Sequence, residues 1–385
     1  MKKLFLFVFI FLFLLLNVFG EEVDIAPHAK SAILVESSTG KILFSKDAHS
    51  KRSPASMTKM MTLLLAMESL DKGNIKLTDE VIVSSKASSM GGTQIFINEG
   101  SHINVETLLK GIGIASANDA AVAIAEYIGG TQSNFVKMMN DKAKELGCKN
   151  TNFKNPHGLD EENHYTTAYD LSLIARELVK YPLALKITST YEDYIDVSGD
   201  NRWLVNTNKL VRFYSGIDGL KTGYTDDAGY CLTATMERNG MRLISVVMKE
   251  ESKDERSEDT ISLMEYGFSN FGIKKVYDKN KYKKIVYIDN AKNRSVNCYL
   301  KDDVNIVVNK NVKDVKYSVK EKLFDLVAPL TKNSKVGVLK LYYDNKVYEY
   351  NLIVKENIKK SNYFETIINI FKDMICGVKF KWYLI

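Results

Sequence analysis

Cysteine is scarce in this chain: four among 385 residues, none of them in a C-x-x-C pair, beside only five histidines. That spacing excludes a zinc ribbon, a thioredoxin-like redox centre and a disulfide-stapled scaffold. Cys148, Cys231, Cys298 and Cys376 read as small buried hydrophobes. No G-x-S-x-G elbow is present, and His28, His49, His102, His157 and His164 sit in turn-like or polar contexts without an obvious serine partner. A Ser-His-Asp hydrolase is therefore disfavoured. No H-E-x-x-H or similar ligand spacing marks a catalytic metal, and no glycine-rich phosphate loop opens a helix after a strand. Neither metal nor cofactor is expected. Internal repeats and low-complexity linkers are also missing.

The length fits two domains, and 45% apolar residues suffice for a core in each. The formal charge of +6 is unevenly spread: 29 basic against 35 acidic residues in 1–273, then 21 against 10 in 274–360, and 3 against 2 in 361–385. The basic block favours an anionic surface nearby, with solubilising surface charge as the plain alternative.

Met1-Lys2-Lys3 precedes an apolar run, Leu4 to Phe19, broken only by Asn17 and followed by Gly20-Glu21-Glu22. The run falls short of the roughly 20 residues that span hydrocarbon, and Val18 with Gly20 place small side chains where a leader cleavage site needs them. The expectation is a signal peptide over 1–20, cleaved after Gly20, and an extracytoplasmic protein; an uncleaved anchor is the alternative. At the other end, Phe364, Ile367, Ile368, Phe371, Met374, Ile375 and Val378 recur at helical spacing, with polar and charged residues between them. Residues 361–385 therefore read as an amphipathic helix, attached peripherally to the outer face of the cytoplasmic membrane, rather than as a span; a terminal helix packed on its own domain is the alternative.

Between the ends, a hairpin (Ala32–Val35 and Lys41–Phe44) is followed by helical patterns near 60–72, 117–128, 135–146 and 167–180. Strand patterns at Gly229–Glu237 and Arg242–Met248 flank Asn239-Gly240, and a charged helix spans Asp254–Phe271. This order is α+β, with the terminal strands sharing one antiparallel sheet. From 276 the texture becomes short alternating strands, the mark of a small all-β domain. The expected boundaries are 21–273 for the first domain and 274–360 for the second.

Three short strings carry chemistry. In Ser56-Met57-Thr58-Lys59 the hydroxyl and amine lie one helical turn apart, so a lysine of lowered pKa can serve the serine as base. Ser116-Ala117-Asn118 sets two polar side chains against the apolar run Gly111–Ala115, at the start of a helix. Lys221-Thr222-Gly223-Tyr224 immediately precedes the later strands, and its glycine lets backbone pass close to a ligand. Each string alone is common.

In this order and spacing they resemble the S-x-x-K, S-[DG]-N and K-T-G elements of penicillin-binding proteins. The sequence is similar to the low-molecular-mass D-alanyl-D-alanine carboxypeptidases, a serine-peptidase family. The likeness extends to Gly92–Phe96, Asn155–Leu159, Thr166–Leu171 and Asn206–Leu210, and covers about 28–272. It implies a β-lactamase/DD-peptidase-like domain, an antiparallel sheet flanked by helices, followed by the small β domain and the amphipathic helix. It implies that Ser56 attacks the bond between the terminal D-alanines of a peptidoglycan stem pentapeptide, with Lys59 as base, Ser116 as proton relay and Asn118 holding Lys59 and the substrate amide. Lys221 and Thr222 would receive the terminal carboxylate, and the N–H groups of Ser56 and Tyr224 would form an oxyanion hole. β-Lactams would be covalent inhibitors, and no nucleic-acid partner is expected. The middle string has Ala117 where the family usually has glycine, and Tyr224 stands where some members have histidine. No E-x-x-L-N string is present, which leans away from rapid penicillin hydrolysis. The alternatives are a DD-endopeptidase or weak β-lactamase using the same site, or a non-catalytic peptidoglycan-binding module.

Overall fold

The computed structural model describes residues 24–312 and 314–376, which form two compact units dividing after Phe268. The segment expected to be a signal peptide and the last nine residues of the expected amphipathic helix lie outside the described residues.

The first unit is built on an antiparallel sheet of five strands in the order β2-β1-β9-β8-β7. These are β1 (Ser31–Glu36), β2 (Ile42–Lys46), β7 (Ile217–Thr225), β8 (Gly229–Arg238) and β9 (Met241–Glu250). The first and last strands of the domain pair directly, Ile33 opposite Val246, so the sheet closes only after the chain returns from its helical excursion. Side chains alternate in direction along a strand, and here both faces are covered. Ile33, Val35, Ile244 and Val246 face the helical layer, while Leu34 and Leu243 meet Gly267 of a helix behind the sheet. That explains why every residue of β1 is buried and why β8 and β9 read as apolar runs rather than as clean alternation.

Helices α1 (Lys59–Asp71), α2 (Asn118–Gly129), α3 (Gln132–Glu145) and α4 (Ala168–Leu178) form the layer in front, and α5 (Lys253–Asn270) is the helix behind. Met60, Met61, Leu63, Leu64, Ala66 and Met67 of α1 are all essentially inaccessible to water. A helix apolar around most of its circumference belongs at the centre of a domain, and α1 is there. Short strands β3 (Glu80–Ile82) and β4 (His102–Asn104) pair at the margin. A further hairpin, β5 (Glu192–Val197) with β6 (Asp200–Val205), is absent from the expectations above. Its turn, Ser198-Gly199, has both residues in the left-handed region, at φ 55° and 90°, as a tight two-residue hairpin requires.

Ser56 lies in a 3-10 turn, Ala55–Thr58, that leads into α1. One placement differs from the sequence reading: the Lys221–Tyr224 string does not precede the strands but is the body of the edge strand β7.

The second unit is all-β apart from its last helix, with strands β10 (Phe271–Tyr277), β11 (Lys284–Tyr287), β12 (Ser295–Leu300), β13 (Val304–Asn309), β14 (Ser318–Leu323), β15 (Lys335–Tyr343) and β16 (Lys346–Ile353). Strands β11-β12-β16-β15-β14 form one sheet and β10-β13 another, around Val286, Leu300, Ile306, Leu339 and Leu352. Helix α6 (Tyr363–Cys376) starts on a reciprocal cap: the Glu365 N–H donates to Asn362 Oδ1 and the Asn362 N–H to Glu365 Oε2, both at 2.9 Å. Its Asn369 side chain donates to the Ala291 carbonyl, while Phe364, Ile368 and Phe371 are exposed.

Candidate active site

The centre of the first unit is a turn forced into shape by its neighbours. Ala55 is held at φ 45°, a conformation that costs a residue with a Cβ on the order of 1 kcal/mol, and the next residue is Ser56. Strand β7 crosses this turn closely: a Cβ at Gly223 would stand 2.9 Å from the Pro54 carbonyl and 3.1 Å from the Ala55 methyl. Only glycine lets the strand lie beside the half-buried serine.

Lys59 opens α1 one turn later and is completely buried. Its Nζ lies 3.0 Å from Ser56 Oγ, 2.6 Å from Asn118 Oδ1 and 2.7 Å from the His157 carbonyl oxygen. Burial, and next the positive charge of Lys221, hold this amine well below the usual lysine range; Asp119 opposes them. A neutral amine has two N–H donors and one lone pair. Asn118 Oδ1 and the His157 carbonyl take the two donors, which leaves the lone pair toward the Ser56 hydroxyl.

Asn118 is placed by an irregularity in the chain. Residues Gly111–Ala115 form one turn of π-helix, Ser116 follows at φ 69°, and α2 begins at Asn118. Such a wide turn reorients the residues after it and is frequent at functional sites. Ser116 and Asn118 are both buried. The Asn118 amide nitrogen donates to the Gly91 carbonyl at 2.8 Å, which fixes the oxygen toward Lys59. Asp119, also buried, accepts from the N–H groups of Ile95, Ile97 and Ala120 and so pins the 93–97 segment against α2.

On β7, Lys221 is 1% exposed and its amine donates to the Thr222 carbonyl. Burial, with the nearby Arg256 guanidinium second, lowers its pKa to about 7. The Thr222 hydroxyl donates to Thr207 Oγ1 at 2.7 Å. Tyr224 is half exposed, with its hydroxyl on Asp226 and its ring 4.4 Å from that of Tyr230.

The structure thus joins Ser56, Lys59 and Asn118 by direct contacts and brings β7 with Gly223 against the same turn; Ser116 stands two residues before Asn118. Sequence reasoning marked the Asn155–Leu159 string but missed the part that its backbone plays. His157 contributes its carbonyl, while its ring is held neutral, with a pKa lowered to about 3 chiefly by burial and then by Lys59. His164 Nδ1 accepts from the Lys154 N–H, so its Nε2 carries the proton and donates to Thr58 Oγ1 at 2.8 Å. Thr62 Oγ1 donates to the Pro156 carbonyl. The available signal was the string Asn155–Leu159, but nothing in it says that a main-chain oxygen is the working group.

Chemically, this is a hydroxyl beside a buried amine whose pKa is held well below the usual lysine range, with a buried second lysine close by to receive an anion. Residues 18–252 match the family described as D-alanyl-D-alanine carboxypeptidase, and residues 271–360 match the C-terminal domain of penicillin-binding protein 5. The D-alanyl-D-alanine carboxypeptidase DacF of Bacillus subtilis is 45% identical over 344 residues, 88% of this chain and 88% of its own. The solved penicillin-binding protein 5 of Haemophilus influenzae superposes with a TM-score of 0.69 at 31% identity, covering 86% of this chain and 98% of its own. A penicillin-binding protein of Listeria monocytogenes, solved in an ampicillin-bound form, superposes with a TM-score of 0.57 at 32% identity over 63% of this chain and 98% of its own.

Proposed function

The chain belongs to the D-alanyl-D-alanine carboxypeptidases, a serine-peptidase family of hydrolases, and we propose that it releases the terminal D-alanine of peptidoglycan stem pentapeptides through an acyl-enzyme on Ser56. The observation that carries this reading is the Lys59 amine, buried, depressed in pKa and 3.0 Å from Ser56 Oγ.

In the first half-reaction Ser56 Oγ attacks the carbonyl of the scissile bond and Lys59 Nζ takes the hydroxyl proton. The N–H groups of Ser56 and Tyr224 stabilise the oxyanion, at about 3 kcal/mol per donor. Ser116 passes that proton from Lys59 Nζ to the departing amine of D-alanine as the amide bond breaks, which returns Lys59 to its neutral form. Asn118 holds Lys59 and the substrate amide, while Lys221 and Thr222 hold the terminal carboxylate. In the second half-reaction water gives a proton to Lys59 and attacks the ester carbonyl, and as the ester C–O bond breaks Lys59 returns the proton to Ser56 Oγ. A β-lactam acylates the same hydroxyl, in keeping with the ampicillin-bound relative.

The protein is further read as exported and held at the outer face of the cytoplasmic membrane by α6. Exposed Phe364, Ile368 and Phe371 support this.

The decisive experiment is covalent labelling with fluorescent penicillin beside assays of D-alanine release from a pentapeptide. Wild type should label and release D-alanine, and Ser56→Ala should do neither. A wild-type protein that stays unlabelled while a known relative labels under the same conditions would overturn the reading.

A further inference from the structure

The β5–β6 hairpin has an inner and an outer face. Ile195, Val197 and Leu204 point inward and are buried, whereas Tyr194 and Trp203, directly opposite each other in the register, stand on the outer face at 61% and 59% exposure. A cross-strand tyrosine–tryptophan pair held open to water costs apolar hydration on both rings, and the inner face already anchors the hairpin, so folding does not need it. The remaining outer-face residues include Glu192, Asp196 and Asn201, which offer oxygens and an amide around the rings.

The hairpin is tied to both walls of the active site. On one side the Arg202 guanidinium lies 5.6 Å from the ring centre of Phe96, in the segment that Asp119 pins beside Asn118. On the other, the chain leaving β6 reaches Thr207, which accepts from Thr222 and donates its N–H to the Ile114 carbonyl. Lys110 fixes the base of the hairpin through Asp193 at 2.9 Å. The hairpin is therefore held beside the groove. Trp203 precedes Thr207 by four residues, at most about 13 Å of extended chain. A pentapeptide with its terminal carboxylate at Lys221 and Thr222 also needs four residue steps, about 13 Å, to reach the end attached to sugar.

We infer that Tyr194 and Trp203 form a saccharide-binding platform for the glycan strand that carries the stem peptide. Pyranose rings present a face of C–H bonds that stacks on an aromatic ring, and rigid tyrosine and tryptophan supply such area at low entropic cost. Carboxylate and amide groups at the margin match sugar hydroxyls and acetamido groups. Glu192 is paired with Arg212 at 3.7 Å and Asp196 sits at the turn, so this face carries no surplus of positive charge to draw a polyanionic polymer or an acidic lipid surface. This inference rests on the peptidase reading above and deepens it: the enzyme would prefer stems still attached to glycan.

The test compares kcat/KM for D-alanine release from a free pentapeptide and from the same pentapeptide on a glycan tetrasaccharide. Wild type should favour the glycan-linked substrate by about tenfold, chiefly through KM, because the platform binds ground and transition states alike. Trp203→Ala and Tyr194→Ala should abolish that preference and leave free-peptide turnover unchanged, while Trp203→Phe should keep part of it. Equal kcat/KM for the two substrates in wild type would overturn the inference, as would a Trp203→Ala loss that is the same on both. A separate arm titrates peptide-free tetrasaccharide against tryptophan fluorescence, with Trp203→Phe as reference. Saturable quenching that depends on Trp203 supports the platform even if no D-alanine is released, and its absence counts against it.

Discussion

The Lys59 amine lies 2.7 Å from the main-chain carbonyl of His157 and 2.6 Å from Asn118 Oδ1, so both hydrogens of a neutral amine are engaged and only its lone pair faces Ser56. An arginine at this position keeps its charge and has no acceptor. Lys59→Arg should therefore slow acylation by fluorescent penicillin by about 10²- to 10⁴-fold, the usual contribution of a general base. Stopped-time labelling gives the rate constant. A variant within threefold of wild type would remove Lys59 as the base.

Lys59 must be neutral while Lys221 is charged, and the two requirements bound the active pH range. Burial and then Lys221 lower Lys59, which supplies the neutral amine; burial and then Arg256 bring Lys221 down to about 7. As pH rises through about 7 Lys221 loses the proton with which it holds the substrate carboxylate. For the free pentapeptide kcat/KM should fall on that limb, carried by KM. Lys221→Arg keeps the charge and should move the limb upward by two pH units or more. A pH profile with the same alkaline limb in both proteins would show that another group titrates there.

Gly92 sits at φ 77°, and a Cβ there would stand 2.7 Å from the Asn118 amide nitrogen. Gly92→Ala should push that amide off the Gly91 carbonyl and loosen Lys59, lowering acylation by about 10- to 100-fold, besides a loss of roughly 1 kcal/mol for the left-handed backbone. Gly73 is the control: its φ of 71° is similar, but nothing lies within 4 Å of an added Cβ. Gly73→Ala should cost stability alone. Equal acylation rates for the two variants would refute a specific role for the Gly92 approach.

How much of this could be read from the chain depends on how local each signal is. The Ser56–Lys59 contact spans one turn and the Ser116–Asn118 pair opens one helix, so residue type and spacing bring them into view. The sheet strands at 31–36, 229–238 and 241–250 announced themselves as apolar runs beside turn residues. Other features lack a local signature. The His157 carbonyl belongs to a group every residue has, and Asp119 looks like an ordinary first-turn acid until its three N–H donors are seen. The Lys221–Tyr224 string reads as lying ahead of the strands because an edge strand carrying lysine, threonine and glycine lacks the apolar pattern that marks one. The β5–β6 hairpin was overlooked because its outward alternation of aromatic, acidic and amide residues is not the usual polar pattern.

A last prediction concerns Glu250, which ends β9 with both carboxylate oxygens buried and without a hydrogen-bond donor. Burial first, and then the carboxylate of Asp259, which already accepts from the His28 and Ala29 N–H groups, raise its pKa to about 8 from an ordinary 4.5. The folded state then keeps a proton that the unfolded chain releases between about pH 4.5 and 8. Unfolding is favoured progressively across that window, so stability falls as pH rises through it and levels off above. Glutamine fills the same space without titrating. Glu250→Gln should match wild type near pH 4 and exceed it by about 2–3 kcal/mol at pH 9, a figure reduced for relaxation around the ionised group. Calorimetric Tm of the first domain at the two pH values decides it: a variant no more stable than wild type at pH 9 would mean that Glu250 reaches water or a cation when it ionises.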